Sequence, residues 1–474
     1  MRVLIVNPPW PGKGFGTRSQ NRIIKHRSDK FLQYPVFLAY SAVQLKEAGH
    51  DIAYIDSVIQ ELDMNQTLAE AKRREPEVIF METTTPSIEA DYESLIALKD
   101  DTAAKIIVGG PHATYFHKEV LEECSAIDVV IRHEFDTKIV NVVLNMDDLK
   151  SIPGITYRNG NKIEDNGDGE VCNDLDSIPF PDRDTIPWQW YLEAWYSRRP
   201  FMNIMTSRGC PYQCSFCLWP QSMYGHKQRF RSIDNVIAEV SYLIKRYGLR
   251  EINIDDGTFT TNRKRVIEFC QRIRKDKINL IWTCNGRVDN LDDEMLGEMK
   301  RAGCKMIRLG AESGSQEVLD KIRKGLTLGQ IEEGFKLVKR SGIQALGGFM
   351  FGFPYDTRET IEQTIEFAKK LSPDQVQFSI NMCYPGTSLY EYAKDNDLLL
   401  AKSFKEFDMT YGPVVKTIEM AREDLEHILS RAYREFYFRP KFFLQTLFNM
   451  KDIDEIKRAF RSLKSLIKTI RLHN

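Results

Sequence analysis

Three observations predict an α/β protein with two parallel sheets: an N-terminal doubly wound (Rossmann-like) sheet, then a partial (β/α)6 TIM-type barrel and a helical C-terminal region. Short apolar runs alternate with amphipathic stretches over residues 2–147. A second series of the same kind starts at residue 201. Within that series the polar clusters DDG, NGR, ES and YPGT fall where strands end. Such alternation implies right-handed βαβ units, and both architectures place their chemistry at the carboxyl ends of the strands.

The elements follow in order. RVLIVN reads as a first core strand, and FLAYSAVQLKEAG as a helix stopped by glycine. DIAYID, EVIFME, AKIIVGG and DVVIRHE continue the strands, with LAEAKRRE, DYESLIALKD and HKEVLEE between them. This unit covers residues 1–148. Residues 149–200 are expected to hold a hairpin, GITYRNGNKIED, turning at Asn159-Gly160, and an extended proline-rich linker, DLDSIPFPDRDTIPW. Residues 201–400 supply six barrel strands: NIMTSR, EINIDD, LIWTCNG, MIRLGAES, ALGGFMFGFP and QVQFSINMCYPG. Residues 401–474 read as mostly helical. From Arg431 onward eleven Lys/Arg face four Asp/Glu among Phe, Leu and Ile, a pattern that allows peripheral contact with an anionic membrane surface.

At 474 residues the chain exceeds one ordinary core. Its formal net charge of −1 gives no global attraction to nucleic acid. No apolar run reaches the roughly 18 residues of a membrane span, and MRVLIVNPPWP lacks the long apolar stretch of a signal peptide. A cytoplasmic location is the expectation. Of nine cysteines, six are scattered and read as buried small hydrophobes.

The other three, Cys210, Cys214 and Cys217, sit in TSRGCPYQCSFCLWPQ, separated by three and then two residues. A structural zinc site or a ferredoxin-type cluster uses four ligands. Three thiolates in one loop suit a 4Fe-4S cluster with one iron left open. This loop resembles the CxxxCxxC signature of the radical SAM superfamily, with Phe216 as the aromatic before the third cysteine. The resemblance implies that the open iron chelates S-adenosyl-L-methionine (SAM). Reductive cleavage then gives a 5′-deoxyadenosyl radical that abstracts hydrogen from an unactivated carbon, fed by an external electron donor of flavodoxin or ferredoxin type. It also implies SAM contacts at later strand ends: Asp255, Asp256 and Gly257, then Asn285 and Arg287, Glu312 and Ser313, and Gly348.

Residues 1–148 resemble the cobalamin-binding domain often fused ahead of such barrels. The resemblance places the cofactor, if bound, at Gly109, Gly110, Pro111 and His112, where two glycines would let the backbone approach a flat ligand. The D-x-H-x-x-G loop is absent, so no histidine of that motif ligates cobalt. The usual G-E-G-E stretch is replaced by RHEFD, Arg132 to Asp136. That bulk argues for weak or no binding of hydroxocobalamin. Finally, CLWPQSMYGHKQRFRS, DDGTFT, CNGR and YPGT resemble the hopanoid cyclitol ether synthase, calditol synthase and aminoglycoside diol-dehydratase subgroup. This implies rearrangement, dehydration or coupling of a sugar or polyol, free or lipid-linked, with Trp219, Gln221, His226, Asn381 and Tyr384 as substrate candidates. The alternative is a cobalamin-dependent radical methyltransferase.

Overall fold

The computed structural model describes residues 1–12, 14–19, 30–192, 196–440 and 442. Its first sheet contains β1 (Arg2–Asn7), β2 (Asp51–Asp56), β3 (Val78–Glu82), β4 (Lys105–Gly109), β5 (Val129–Ile131), β6 (Ile155–Asn159) and β7 (Lys162–Asp165). The order is β2-β1-β3-β4-β5-β6-β7. β1 to β5 are parallel. Their runs are apolar throughout because both faces are covered. Val3, Ile5 and Phe80 enter one core layer, and Leu4, Val6 and Ile79 the other. The hairpin expected in the linker extends this sheet instead: β6 pairs antiparallel with β5, and β7 with β6. The edge of β5 offered unpaired backbone groups that the adjacent hairpin satisfies.

The second sheet is all parallel, in the order β8-β11-β12-β13-β14-β15. Its strands are β8 (Phe201–Ile204), β11 (Glu251–Ile254), β12 (Ile281–Gly286), β13 (Cys304–Glu312), β14 (Gln344–Phe351) and β15 (Gln375–Ile380). A two-residue ribbon, β9 (Ser207–Arg208) with β10 (Arg229–Phe230), closes the base of the loop that carries the three cysteines. The outer helices start at side-chain caps on Ser232, Asn262, Asp292, Thr327 and Thr357. Ile252, Cys284, Ile307 and Phe378 pack outward in the core beneath the helices. The alternate residues face inward, and register aligns Asn203 with Asn253 and Thr283, Asn285 with Arg308, and Gly310 with Gly348 and Gln377. The strand period thus sorts apolar residues out and polar ones in.

An open barrel leaves an edge on β15. The helix Arg422–Tyr437 covers it with two tyrosines one turn apart. Tyr433 Oη accepts from Phe378 N (3.1 Å) and donates to Phe378 O (3.0 Å). Tyr437 Oη does the same at Val376 (3.1 and 3.0 Å). Tyr433→Phe leaves both backbone groups of Phe378 unpaired and is expected to cost about 1–3 kcal/mol, read as a lower urea midpoint. Residues 401–420, expected to be helical, form short turns (Phe404–Phe407, Met409–Tyr411) around a bridge between Leu399 and Val415. Gly412, with φ +86°, breaks the helical path. Most of the basic segment read for membrane contact, from Arg431 onward, lies outside the described residues. Among those described, no helix is long and apolar enough to cross a membrane.

Candidate active site

The cysteine loop leaves the first barrel strand and is held from behind. Gln221 donates its side-chain amide to the carbonyls of Cys217 (2.8 Å), Ser215 (3.2 Å) and Cys214 (3.3 Å). Its Oε1 accepts from Ser388 N at 2.8 Å. His226 Nδ1 lies 3.2 Å from Cys210 O and 3.0 Å from Tyr212 O. Ser215 N donates to Ile322 O (2.9 Å) and Leu389 N to Ser215 O (3.0 Å). Gln221 and His226, expected at the substrate, are therefore engaged in shaping the loop. Trp219 stacks on Tyr224 (5.1 Å) and on Phe37 (5.7 Å), so it packs the loop against the first sheet's helix layer. The ring of Phe216 faces Phe353 at 5.6 Å.

The strand ends around the loop divide into braces and open positions. Asp256 accepts four hydrogen bonds, from Thr206 N (2.6 Å), Ser207 N (3.0 Å), Thr206 Oγ1 (2.6 Å) and Ser207 Oγ (2.7 Å). It ties β11 to the chain entering the cysteine loop. Gly257 lies against that loop, where a Cβ would stand 3.3 Å from Cys210 Cβ. Asn285 donates to Asp256 O (2.8 Å) and accepts from Arg308 Nε (2.8 Å). Arg287 bonds Asp289 (3.0 Å) and Gly325 O (3.1 Å), and its guanidinium covers the Tyr212 ring at 3.9 Å. Ser313 Oγ lies 3.1 Å from Thr364 Oγ1, turned toward a helix. Asp255 accepts from Gln33 of the N-terminal unit at 2.9 Å.

Glu312 is the strained member. It sits at φ +65° just after a register shift in β13, and its Oε1 accepts from buried Lys324 Nζ at 2.7 Å. A Cβ on Gly310 would lie 2.1 Å from that oxygen and 3.0 Å from the ammonium, so only glycine fits beneath the pair. Beside Gly310, Gly348 is open, its nearest neighbours 3.8 Å from an added Cβ. Burial pushes the Cys214 thiol up, and Lys324 pulls it back toward the thiolate. At the end of β15, Asn381 accepts from Cys383 N at 3.3 Å, and Tyr384 packs toward Phe407.

The first sheet presents its own strand ends to this face. Arg208, two residues before Cys210, bonds Asp136 at 3.1 and 2.5 Å and lies 3.6 Å from Glu134. Arg229 makes a forked pair with Glu134. All four side chains are at most 3% exposed. His133 Nδ1 reaches Ser222 O at 2.8 Å. The acidic residues of RHEFD thus dock the two units together, while Phe135 turns back, its ring covering Gly109, and Arg132 pairs with Asp165 and Asp168 of its own unit. Gly110, at φ +111°, lies against the Thr83 backbone. Following Pro111, buried His112 bonds Thr85 Oγ1 (3.2 Å) between Phe116 and Phe404, and burial lowers its pKa to about 3. The two glycines expected to admit a flat ligand are accounted for by the fold itself.

Residues 204–368 match the Radical SAM superfamily, and residues 27–143 the B12 binding domain. The chain is 35% identical over 433 residues to an uncharacterized methyltransferase of Pyrococcus horikoshii, covering 90% of this chain and 93% of that one. The chain belongs to the radical SAM superfamily. A second relative of this radical SAM protein is the anaerobic magnesium-protoporphyrin IX monomethyl ester cyclase of Rubrivivax gelatinosus, 28% identical over 92% of this chain and 79% of the cyclase. Its fold matches the methyltransferase TsrM of Kitasatospora setae, solved with cobalamin and a 4Fe-4S cluster bound (TM-score 0.73, 16% identity, 100% and 99% coverage).

The donor set fits the superfamily's cofactors. Cys210, Cys214 and Cys217 supply three thiolates for a cluster, and among the described residues no three His, Cys, Asp or Glu converge on a single-ion site. The pair Glu312–Lys324, beside Cys214 and above the open Gly348, would meet a zwitterionic methionyl group. For a corrinoid, the fitting feature is a pair of polar atoms where the units meet: Glu82 Oε1 and Tyr224 Oη are buried without a hydrogen-bond partner among the described residues. Lys324, Arg308 and Gln33 lie outside the motifs that the sequence marks as functional. Lys324 carried a signal, a lysine before glycine in KIRKG, but its partner is set by the strained turn at Glu312. Gln33 and Arg308 carried none. Three of the scattered cysteines, Cys270, Cys284 and Cys304, are free and buried in the barrel core, where the Cys304 thiol donates to Met306 O at 3.9 Å.

Proposed function

We propose that this radical SAM enzyme is a cobalamin-dependent methyltransferase acting on an unactivated carbon. The observation that carries the reading is that the strand ends of the B12-type sheet and of the barrel meet across one buried seam. Thr114, His133, Glu134 and Asp136 of the first unit contact Met223, Ser222, Arg229 and Arg208 of the second, on both flanks of the cysteine loop. Gln33 crosses to Asp255 at the SAM side. The names of the Pyrococcus relative and of TsrM support methyl transfer over the sugar or polyol rearrangement expected from CLWPQ and its neighbours.

When bound, the cluster supplies the electron that cleaves SAM, and the corrinoid supplies a transferable methyl group. The chain's own residues do the positioning. Gln221, His226 and Ser215 fix the cysteine loop. Asp256 anchors the strand that enters it. Glu312 and Lys324 hold opposite charges over the Gly310–Gly348 floor, a place that would suit the SAM methionyl group. Asn381 and Tyr384, at the end of the last strand, are placed at the substrate. The buried ion pairs of the seam would keep water from cofactors bound on either side of it.

The test is the product ratio. Protein reconstituted without oxygen, loaded with hydroxocobalamin and given SAM and dithionite, is expected to release S-adenosylhomocysteine alongside 5′-deoxyadenosine and methionine. Release of 5′-deoxyadenosine and methionine alone would overturn methyl transfer and restore the sugar or polyol reading.

A further inference from the structure

We infer that Glu82 and Tyr224 form a pair of uncharged hydrogen-bond donors that holds the neutral amide acceptors of a corrinoid at the domain seam. This rests on the reading of the protein as a corrinoid enzyme and names the residues of that site.

Glu82 is the last residue of β3, at the carboxyl edge of the first sheet. It is 1% exposed. One oxygen, Oε2, accepts from the Ser19 hydroxyl, and Oε1 has no partner among the described residues. Its side chain occupies the space beside Gly110, where an added Cβ would stand 3.3 Å from Glu82 Cγ. Burial, reinforced by Asp136 and opposed by Ser19 and Arg18, raises its pKa to about 8. At neutral pH the group is therefore mostly a carboxylic acid. With Oε2 already accepting, the proton belongs on Oε1, which becomes a donor lacking an acceptor.

Tyr224 comes from the other unit, at the end of the wide turn Pro220–Tyr224 that follows the cysteine loop. It is 7% exposed, its ring stacks on Trp219, and its hydroxyl also lacks a partner among the described residues. Burial holds its pKa well above 10, and Glu82, when charged, would add to the rise. The nearby full charges are already matched: Arg18 with Asp91, Arg208 with Asp136, and Arg229 with Glu134. What remains is a pair of neutral donors, one on each unit. An unmade buried hydrogen bond is costly, so a partner is needed. A corrinoid, rimmed with amide carbonyls, presents acceptors without demanding a countercharge, whereas a carboxylate ligand would lack one.

The test uses the full chain with its cluster reconstituted, and hydroxocobalamin as the probe. Wild type is expected to retain the corrinoid through gel filtration. Tyr224→Phe should raise Kd about tenfold and Glu82→Leu more, each donor lost being worth roughly one decade. Glu82→Gln keeps a donor at this position and should bind within about threefold of wild type. Equal iron content in all variants checks that they fold. If wild type binds and Glu82→Leu and Tyr224→Phe bind equally well, the two groups hold water and the assignment falls while the corrinoid reading stands. If wild type binds none, both fall.

Discussion

Cys214→Ala is expected to yield a folded protein with almost no iron and no SAM cleavage, against about four irons and four sulfides in wild type. Cys210, Cys214 and Cys217 are the three thiols of one loop, and the other six cysteines lie elsewhere. The charged side chains that act most on the Cys214 thiol are Lys324 and Glu312, already paired with each other. No substitute thiolate is therefore at hand. The loop's shape does not depend on the thiol. It is set by Gln221, by His226, and by Ser215 against Ile322. The far-ultraviolet circular dichroism should thus be unchanged while activity falls below detection. Cys172→Ala is the control: that thiol donates to Asp174 O at the surface and its loss should leave the cluster intact. Full iron content in Cys214→Ala would remove the ground for assigning the cluster to this loop.

The sequence carried the fold well because its signals were local. Runs such as VLIV and VIFM read as strands buried on both faces, and the polar ends of the barrel strands follow from strand period. The three cysteines were legible because their spacing is itself the chemistry. What was not legible is pairing across the chain. Asp256 looked like a SAM contact but accepts four bonds from Thr206 and Ser207, about fifty residues earlier. Gln221 looked like a substrate residue, yet its amide reaches three carbonyls of the loop it follows. RHEFD was legible as a departure but not in its consequence. Bulk in place of glycine argued against a ligand, whereas two of the bulky groups point into the barrel unit and meet arginines. The hairpin's place in the sheet depended on which edge was free, and that is a property of topology. Pattern reports which residues are polar and where strands stop. It does not report which polar group is already satisfied by another, and that decides between a brace and a binding residue.

The second large effect tests the joint between the units. Glu134→Ala is expected to destabilise the protein by about 3–5 kcal/mol, read as a marked fall in the thermal or urea midpoint. Glu134 is fully buried and pairs with Arg229 through both oxygens, with Arg208 at 3.6 Å. Removing one member of a buried pair leaves a desolvated charge behind, which costs far more than the pair itself contributes. Arg229 would retain only the carbonyls of Cys172 and Tyr224. Arg208 would keep Asp136, and its seat between Phe37 and Tyr40 at 5.5 and 5.3 Å. The double replacement Glu134→Leu with Arg229→Leu separates charge from shape: with no orphan charge left, it should recover part of the loss. Because the seam joins two units, the midpoint should be followed by two probes, tryptophan fluorescence for the interface and far-ultraviolet circular dichroism for the sheets. In Glu134→Ala the fluorescence transition should come first, since Trp219 lies in the seam between Phe37 and Tyr224. Corrinoid retention should fall with it, while iron content, set by a loop with its own braces, should hold at temperatures below that transition. An unchanged midpoint in Glu134→Ala would mean that the two units do not depend on this clamp, and the shared seam that supports methyl transfer would lose its foundation.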